Sequence, residues 1–388
     1  MMKSIKIFFL TSILLISIFL FVGCWNYREV DDINIVAGTA IDKGIHKEYM
    51  ISIEILESSI GKESPTTSKL IVAEGESIFD AVRNAIAISG KKLYWSHNKI
   101  LILSKEVAQE GITEVIDWFL RDAETRSDVY ILVSKGTSAK EILEKKQKDE
   151  KIEQVVSFNL HDILVNQKVL SKAPNIQIWQ LTNDIVDEGI MAIAPSVELA
   201  KVDHNDCPEI LGTAFFKNDQ LIGFLSENET KYLLFLRNKI KGGLLNLSPE
   251  DNKKNPTITF EIFDNKTKLQ PVTKDKEIAM NINIDTHLAV GTIKGTKNYL
   301  TDKEIIQLEK DVADMIKTNC ENLIKKMQSE YKADIFGFGA KIRAHKPAFW
   351  KDMGKNRENV FENLEVHINV NVGIINGSTT AKPLEVGD

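Results

Sequence analysis

The stretch "AMNINIDTHLAVGTIKGTKNYLTDKEIIQLEKDVADMIKTNCENLIKKMQSE" (residues 279–330) changes its period halfway along. In its first part apolar residues recur at every second position, at Met280, Ile282, Ile284, Leu288 and Val290, the spacing of a strand with one buried face. From Thr301 onward Ile305, Leu308, Val312, Met315, Ile316, Cys320, Leu323 and Met327 fall on one helical stripe, with Thr301 and Glu304 spaced as a capping box. The spacing predicts a long helix over 301–330 and makes Cys320 core filler rather than a redox thiol. Upstream, "TITFEIFD" (257–264) alternates in part, and downstream "LEVHINVNVGII" (364–375) alternates strictly. Adjacent strands, one long helix and a closing strand make an α+β unit. A doubly wound lobe would instead alternate strand and helix one for one.

The same reading extends toward the N-terminus. "INIVAGTAI" (33–41), "YMISIEIL" (49–56), "KILILS" (99–104), "DVYILVS" (128–134) and "MAIAPSVEL" (191–199) are strand-like. Helices fall between them. One is capped by Ser77 and ended by Gly90, one carries Ile112, Val115, Ile116 and Phe119, and one starts at Ser138 with Glu141. The mixed-charge run 140–154 reads either as a solvated helix end or as a partner-binding arm. A polar loop, "VDHNDCPE" (202–209), suggests a boundary, and a short block follows with strands, a helix capped by Ser226 with Glu229, and a turn at Gly242-Gly243. The expected architecture is α+β (mixed α/β). Three consecutive domains, 24–200, 201–255 and 256–388, would carry twisted, mainly antiparallel or mixed sheets packed by helices.

Composition excludes several functions. A net charge of −6 with no basic block argues against nucleic acid as a partner. Cys24, Cys207 and Cys320 are too few and too scattered for a disulfide framework or a zinc ribbon. No H-E-x-x-H, G-x-S-x-G, Walker or dinucleotide fingerprint occurs. Asp203, His204, Asp206, Cys207 and Glu209 match neither an EF-hand nor a zinc spacing, so no metal is expected, no catalytic residue is assigned and the chain is not expected to be an enzyme. His97, in "YWSHNK", reads as a strand-entry residue making a structural hydrogen bond.

Residues 1–23 read as a targeting segment. Lys3 and Lys6 precede an apolar run from Ile7 to Val22, which as a helix would span only ~24 Å of a ~30 Å hydrocarbon core. A basic start and a short apolar stretch describe a secretory signal. The run ends at Phe21-Val22-Gly23-Cys24, which resembles the lipobox of bacterial lipoproteins, although Phe21 replaces the usual Leu and Val22 is bulky. Cleavage between Gly23 and Cys24 would leave Cys24 with an S-linked diacylglycerol and an N-acyl chain, and two such chains hold a soluble domain on a membrane. An uncleaved anchor with an incidental cysteine is the alternative. Apart from this covalent lipid, no cofactor is expected.

Several stretches together resemble the Ger(x)C family, the C-subunit lipoproteins of spore germinant receptors. They are "WNYREVDDINIVAGTAID" after Cys24, "WFLRDAETRSDVYILVSKGTSAKEIL" (118–143), "LGTAFFKNDQLIGFLSENETKYLLFLRNKIKGGLLNL" (211–247), "DIFGFG" (334–339) and "KPAFWK" (346–351). Arg357 stands where a second aromatic is expected. The resemblance implies a three-domain, non-catalytic lipoprotein on the outer face of the inner spore membrane. It would assemble with two integral-membrane subunits, one of them permease-like, and be required for receptor assembly or signalling. No direct small-molecule contact is assigned to this chain. Asp122, Glu124 and Arg126 in "RDAETR" read either as a partner contact or as a salt-bridged turn. Trp25 would lie at the membrane interface or pack under the first strand. The competing function is a solute-binding lipoprotein of a transporter, a class that usually has two doubly wound lobes.

Overall fold

The computed structural model describes residues 2–20, 29, 32–57, 67–136, 138–144, 155–202, 205–248, 258–274, 277–294, 301–354 and 356–375. It opens with α1 (Met2–Leu20), whose Ile5, Ile7, Phe8, Phe9 and Leu10 are all exposed. Strands β1 (Ile33–Lys43), β2 (Tyr49–Glu57) and β3 (Thr67–Gly75) follow. Next come α2 (Ile78–Ser89), β4 (Lys92–Tyr94), β5 (Ile100–Leu103), α3 (Lys105–Glu110), α4 (Thr113–Arg121) and β6 (Tyr130–Ser134). Helices α5 (Ala139–Glu144), α6 (Val156–Leu170) and α7 (Ile178–Val186) lead to β7 (Ile193–Val202), β8 (Asn205–Lys217) and β9 (Gln220–Leu225). Helix α8 (Glu227–Leu236) then precedes β10 (Leu244–Leu247), β11 (Ile258–Lys274), β12 (Glu277–Ile293) and α9 (Asp302–Lys326). The chain continues through α10 (Phe338–His345), α11 (Pro347–Met353) and α12 (Arg357–Glu362) to β13 (Glu365–Ile375).

The first nine strands form one mixed sheet in the order β3-β2-β1-β5-β6-β7-β8-β9, with β4 also beside β1. Its centre, β1-β5-β6-β7, is parallel and its flanks are antiparallel. The continuous apolar run Ile100–Leu103 belongs to such a centre, because both faces are covered. Leu101, Leu103, Ile131 and Val133 pack with α2, α4 and α7 on one side. Ile100, Ile102 and Leu132 pack with α5 and α6 on the other. The second sheet, β10-β11-β12-β13, is antiparallel except for the last pair, which α9 joins by a crossover. The α9 stripe Leu308, Val312, Ile316, Cys320 and Leu323 faces Ile282, Ile284, Ile368 and Val372, and burial pushes the Cys320 thiol up.

Two details differ from the sequence expectation. The first sheet runs through residues 200 and 201, because β7 and β8 are paired from Ile193↔Phe215 to Val202↔Asn205. The short block therefore divides, with β8 and β9 completing the first sheet and β10 starting the second. At α9, Thr301 takes the N-cap position without a side-chain hydrogen bond, and the helix leaves through a π turn at Met327–Tyr331. The caps at Ser77 and at Ser226 with Glu229 form as spaced.

Two carboxylates on neighbouring strands hold the helices of one face. Asp42 of β1 accepts from the backbone N–H groups of Ala139 (2.7 Å) and Lys140 (2.8 Å), at the start of α5. Glu54 of β2, 2% exposed, accepts from Val156 N–H (2.9 Å), Ser157 N–H (2.9 Å), Ser157 Oγ (2.5 Å) and Ser68 Oγ (2.7 Å). Val155 lacks a capping side chain, so Glu54 answers the open N–H groups of α6 from across the layer. Glu54→Ala leaves those donors unpaired, and we expect a loss of about 2–4 kcal/mol. Urea unfolding of the detergent-solubilised full chain, followed by tryptophan fluorescence, measures it, with Glu54→Gln losing less.

Candidate functional site: the cleft between the two sheets

A cleft of about 790 Å³ separates the 184–192 segment of the first unit from residues 332–364 of the second. Behind its walls, at the end of α8, lies Arg237, whose side chain is 9% exposed and which bonds to the cleft residues Asp184 and Met191. The guanidinium donates to Ile335 O (2.6 Å), Met191 O (3.1 Å) and Asp184 Oδ2 (3.3 Å), so one cation holds three separate segments. Burial pulls the Arg237 pKa down, with Asp184 opposing it. Burial likewise raises Asp184, against the attraction of Arg237.

Beside it the "DIFGFG" segment folds around its own aspartate. Asp334 Oδ1 accepts from the N–H groups of Phe336 (3.1 Å), Gly337 (2.9 Å) and Phe338 (3.2 Å), and Oδ2 accepts from Gly339 (2.7 Å). Burial pushes Asp334 up, and these four donors pull against it. Gly337 sits at φ +83, a left-handed turn that suits glycine. The turn docks on the 187–191 loop through Met191 N–H to Asp334 O (2.8 Å) and Ala340 N–H to Gly189 O (2.7 Å). The two backbones meet so closely that a Cβ on Gly189 would lie 2.5 Å from the Ala340 nitrogen.

The cleft's rim is charged and paired. Arg343 donates to Asp187 (2.6 Å), and Arg357 donates to Glu188 (2.5 Å) while its guanidinium stacks on the Trp350 ring at 4.3 Å. Arg357 thus supplies a flat cation where a second aromatic is expected. Burial pushes Asp187 up, but Arg343 and the Gly189 N–H more than offset it and leave it below the usual carboxylate range. Asp187 and Glu188 are thus matched to arginines across the cleft, and Glu358 and Glu362 pair with Lys217 and Lys332. The arrangement joins two bodies and presents an apolar wall of Phe338, Ile342, Trp350 and Phe361.

The other candidate residues lie elsewhere. Gly23, Cys24 and Trp25 fall outside the described residues, as do Asp203 and His204. Among the described residues no group of three His, Cys, Asp or Glu is placed to hold a metal ion. Asp122, Glu124 and Arg126 form a self-bonded loop after α4. Asp122 Oδ1 accepts from Glu124 N–H (2.8 Å), Glu124 pairs with Lys92, and Arg126 clasps Asp128 (2.6 and 2.8 Å). His97 ends a 3₁₀ turn (Trp95–His97), exposed, with its ring 5.9 Å from Tyr94. The sequence reading did not single out Arg237, Asp184 or the role of Asp334. The available signal was a lone arginine at the end of the apolar run "LLFLR" and an aspartate heading a glycine-rich turn.

Comparison with known proteins places these features in a family context. Residues 26–199 match the family described as spore germination protein N-terminal domain, and residues 211–378 the family described as spore germination B3/GerAC like, C-terminal. The chain is 26% identical over 391 residues to spore germination protein YndF of Bacillus subtilis (strain 168), covering 92% of this chain and 93% of that one. It is 24% identical over 372 residues to spore germination protein B3 of the same organism, covering 93% and 95%. The crystal structure of the GerBC protein superposes with a TM-score of 0.56 at 22% identity, over 87% of this chain and 97% of that chain, a likeness of fold.

The glycine contact at the joint gives a direct test. Gly189→Ala forces backbone apart, and we expect a loss of about 1–3 kcal/mol in urea unfolding. Gly136→Ala, where an added Cβ meets nothing within 4 Å, should stay within about 0.5 kcal/mol.

Proposed function

The chain belongs to the Ger(x)C family of spore germination proteins, and from that premise we propose that it is a non-catalytic, lipid-anchored subunit of a nutrient germinant receptor, required for receptor assembly or signalling. The observation that carries this reading is that the two family profiles account for 26–199 and 211–378, both sheets and the cleft between them. The anchor is supported by α1, whose Ile5, Ile7, Phe8, Phe9 and Leu10 are exposed and which ends at Leu20, just ahead of Gly23-Cys24. Cys24 carries the diacylglycerol and the N-acyl chain, and two acyl chains suffice for stable membrane attachment. Trp25, next in sequence, sits at the lipid–water boundary.

In this reading the protein lies on the outer face of the inner spore membrane with two integral-membrane subunits, one permease-like. Asp122, Glu124 and Arg126 offer a contact for them. The Arg126–Asp128 pair is half exposed, with side chains 56% and 48% accessible, so it contributes little to folding and can be redirected on docking.

The test replaces Cys24 with Ala and follows two readouts together: membrane fractionation of spores, and the fall in optical density after nutrient addition. We expect the protein to leave the membrane fraction and nutrient germination to fail, while germination by nutrient-independent triggers survives. Retention on the membrane with normal nutrient germination would overturn the lipid-anchor reading, and normal nutrient germination after deletion of the whole chain would overturn the receptor role.

A further inference from the structure

A second recess, of about 420 Å³, lies beside β11, along a part of the strand that β10 leaves uncovered. Strand β10 pairs with β11 only from Leu247↔Ile258 to Leu244↔Glu261. Further along the strand the turn after α8 takes over. There Asn238, at φ +55, accepts from Thr267 N–H through Oδ1 (2.8 Å), which leaves its Nδ2 as a donor. That bond fastens the turn to the strand, so Lys239 of the turn and Lys268 of the strand line one space. Helix α10 closes the recess and supplies Lys341 and His345, one helical turn apart.

The recess is basic in a chain whose net charge is −6. Lys239, Lys268, Lys341 and His345 are all exposed, so each can meet a ligand. No carboxylate lines the space, and among the described residues none forms an ion pair with the three lysines. Asp184, which Lys239 attracts, is already held by Arg237. Other lysines of the chain are matched, Lys326 to Glu229 and Lys332 to Glu362. A helix C-terminus draws cations, which accounts for His345 in the last turn of α10 and for Lys239 just past α8. It does not account for Lys268, a strand residue opposite Asn283, or for Lys341 in the middle of its helix.

The donor set states the chemistry of a ligand. Three ammonium groups without a counterion favour a multivalent anion over a single negative charge, and lysines bind phosphate as point charges. Asn238 and Gln270 bring amide N–H donors to the same space. His345 Nδ1 donates to Lys341 O (3.0 Å), which leaves Nε2 for a ligand. The volume of about 420 Å³ falls within the usual size of small-ligand sites. We propose that this recess binds a phosphate group, carried either by a phosphate or phosphomonoester from solution or by the headgroup of an anionic phospholipid. Lys239, Lys268 and Lys341 balance the charge, and Asn238 Nδ2 donates to a phosphate oxygen. The inference does not rest on the receptor reading.

The test titrates sodium phosphate calorimetrically into the full chain held in phosphatidylcholine nanodiscs, with sodium chloride at equal ionic strength as the reference. We expect saturable phosphate binding, weakened about threefold or more by Lys268→Gln and by Lys341→Gln, since an exposed charge contact is worth up to about 1 kcal/mol. Lys310→Gln, an exposed position on α9 outside the recess, removes the same charge and should leave the affinity unchanged. All three side chains are exposed, so none of these variants threatens the fold. Discs carrying phosphatidylglycerol, beside discs of equal charge carrying oleate, separate the two sources. Phosphate affinity lowered by phosphatidylglycerol but not by oleate assigns the recess to a lipid headgroup, and equal affinity in both assigns it to phosphate from solution. Absence of saturable phosphate binding overturns the proposal, as does an unchanged affinity in both recess variants, or an equal loss in Lys310→Gln.

Discussion

The guanidinium of Arg237 cannot be left in a low-dielectric site without partners, and the way the two halves of this chain meet follows from that requirement. Taking a cation out of water costs several kcal/mol even after relaxation. Here the cation is answered by an acid of α7, a carbonyl just before β7 and a carbonyl from the turn that follows α9. Those three groups come from separate stretches of sequence, so a single side chain sets their mutual distance. The rest of the joint then has little freedom. The 187–191 loop must pass against the 334–340 turn, which places Gly189 and Gly339 backbone to backbone and leaves no room for a Cβ between them. Asp334, beside the same arginine, organises the turn from within through four N–H groups.

This explains which parts of the structure the sequence discloses. The alternation at Met280–Val290 and the helical stripe from Ile305 to Met327 report burial directly, because period encodes which face is covered. The continuous run Ile100–Leu103 similarly reports a strand covered on both faces. The partition of the sheets is less visible. Whether β8 pairs with β7 or begins a new layer depends on the register Ile193↔Phe215, a tertiary choice that no local spacing records. The joint is less visible still. Arg237, Asp184 and Asp334 are far apart in sequence, and each alone looks like an ordinary surface charge. Arg357 shows the same limit, since its place beside Trp350 is legible only once the ring beneath it is known.

The helices on one face of the first sheet are fixed by a related device. Asp42 and Glu54 each face a helix N-terminus across the layer, where the first-turn N–H groups and the helix dipole both favour a carboxylate. At α6 a long-range contact thereby replaces local capping, and at α5 it adds to Ser138 Oγ, which accepts from Glu141 N–H (3.1 Å). Loss of either acid would loosen the helix from the sheet rather than unwind it alone.

These constraints bear on how the proposed anchor would connect to the fold. Strand β1 follows shortly after Cys24 and is the most connected strand of the first sheet, pairing with β2, β4 and β5 and carrying Asp42. Under the proposed lipidation of Cys24, the attachment would lead into a strand paired on both sides, not into an edge. The second sheet is joined to it by the Arg237 contacts, by the ion pairs at the cleft's rim and by a shared core in which Ile193, Phe215 and Leu225 pack with the second sheet's residues. A packed sheet deforms little, because its neighbours cannot shift independently. The rim pairs, Arg343–Asp187 and Arg357–Glu188, are partly exposed and individually weak. Arg237, buried and bonded to three segments, is the part of this joint that gives least.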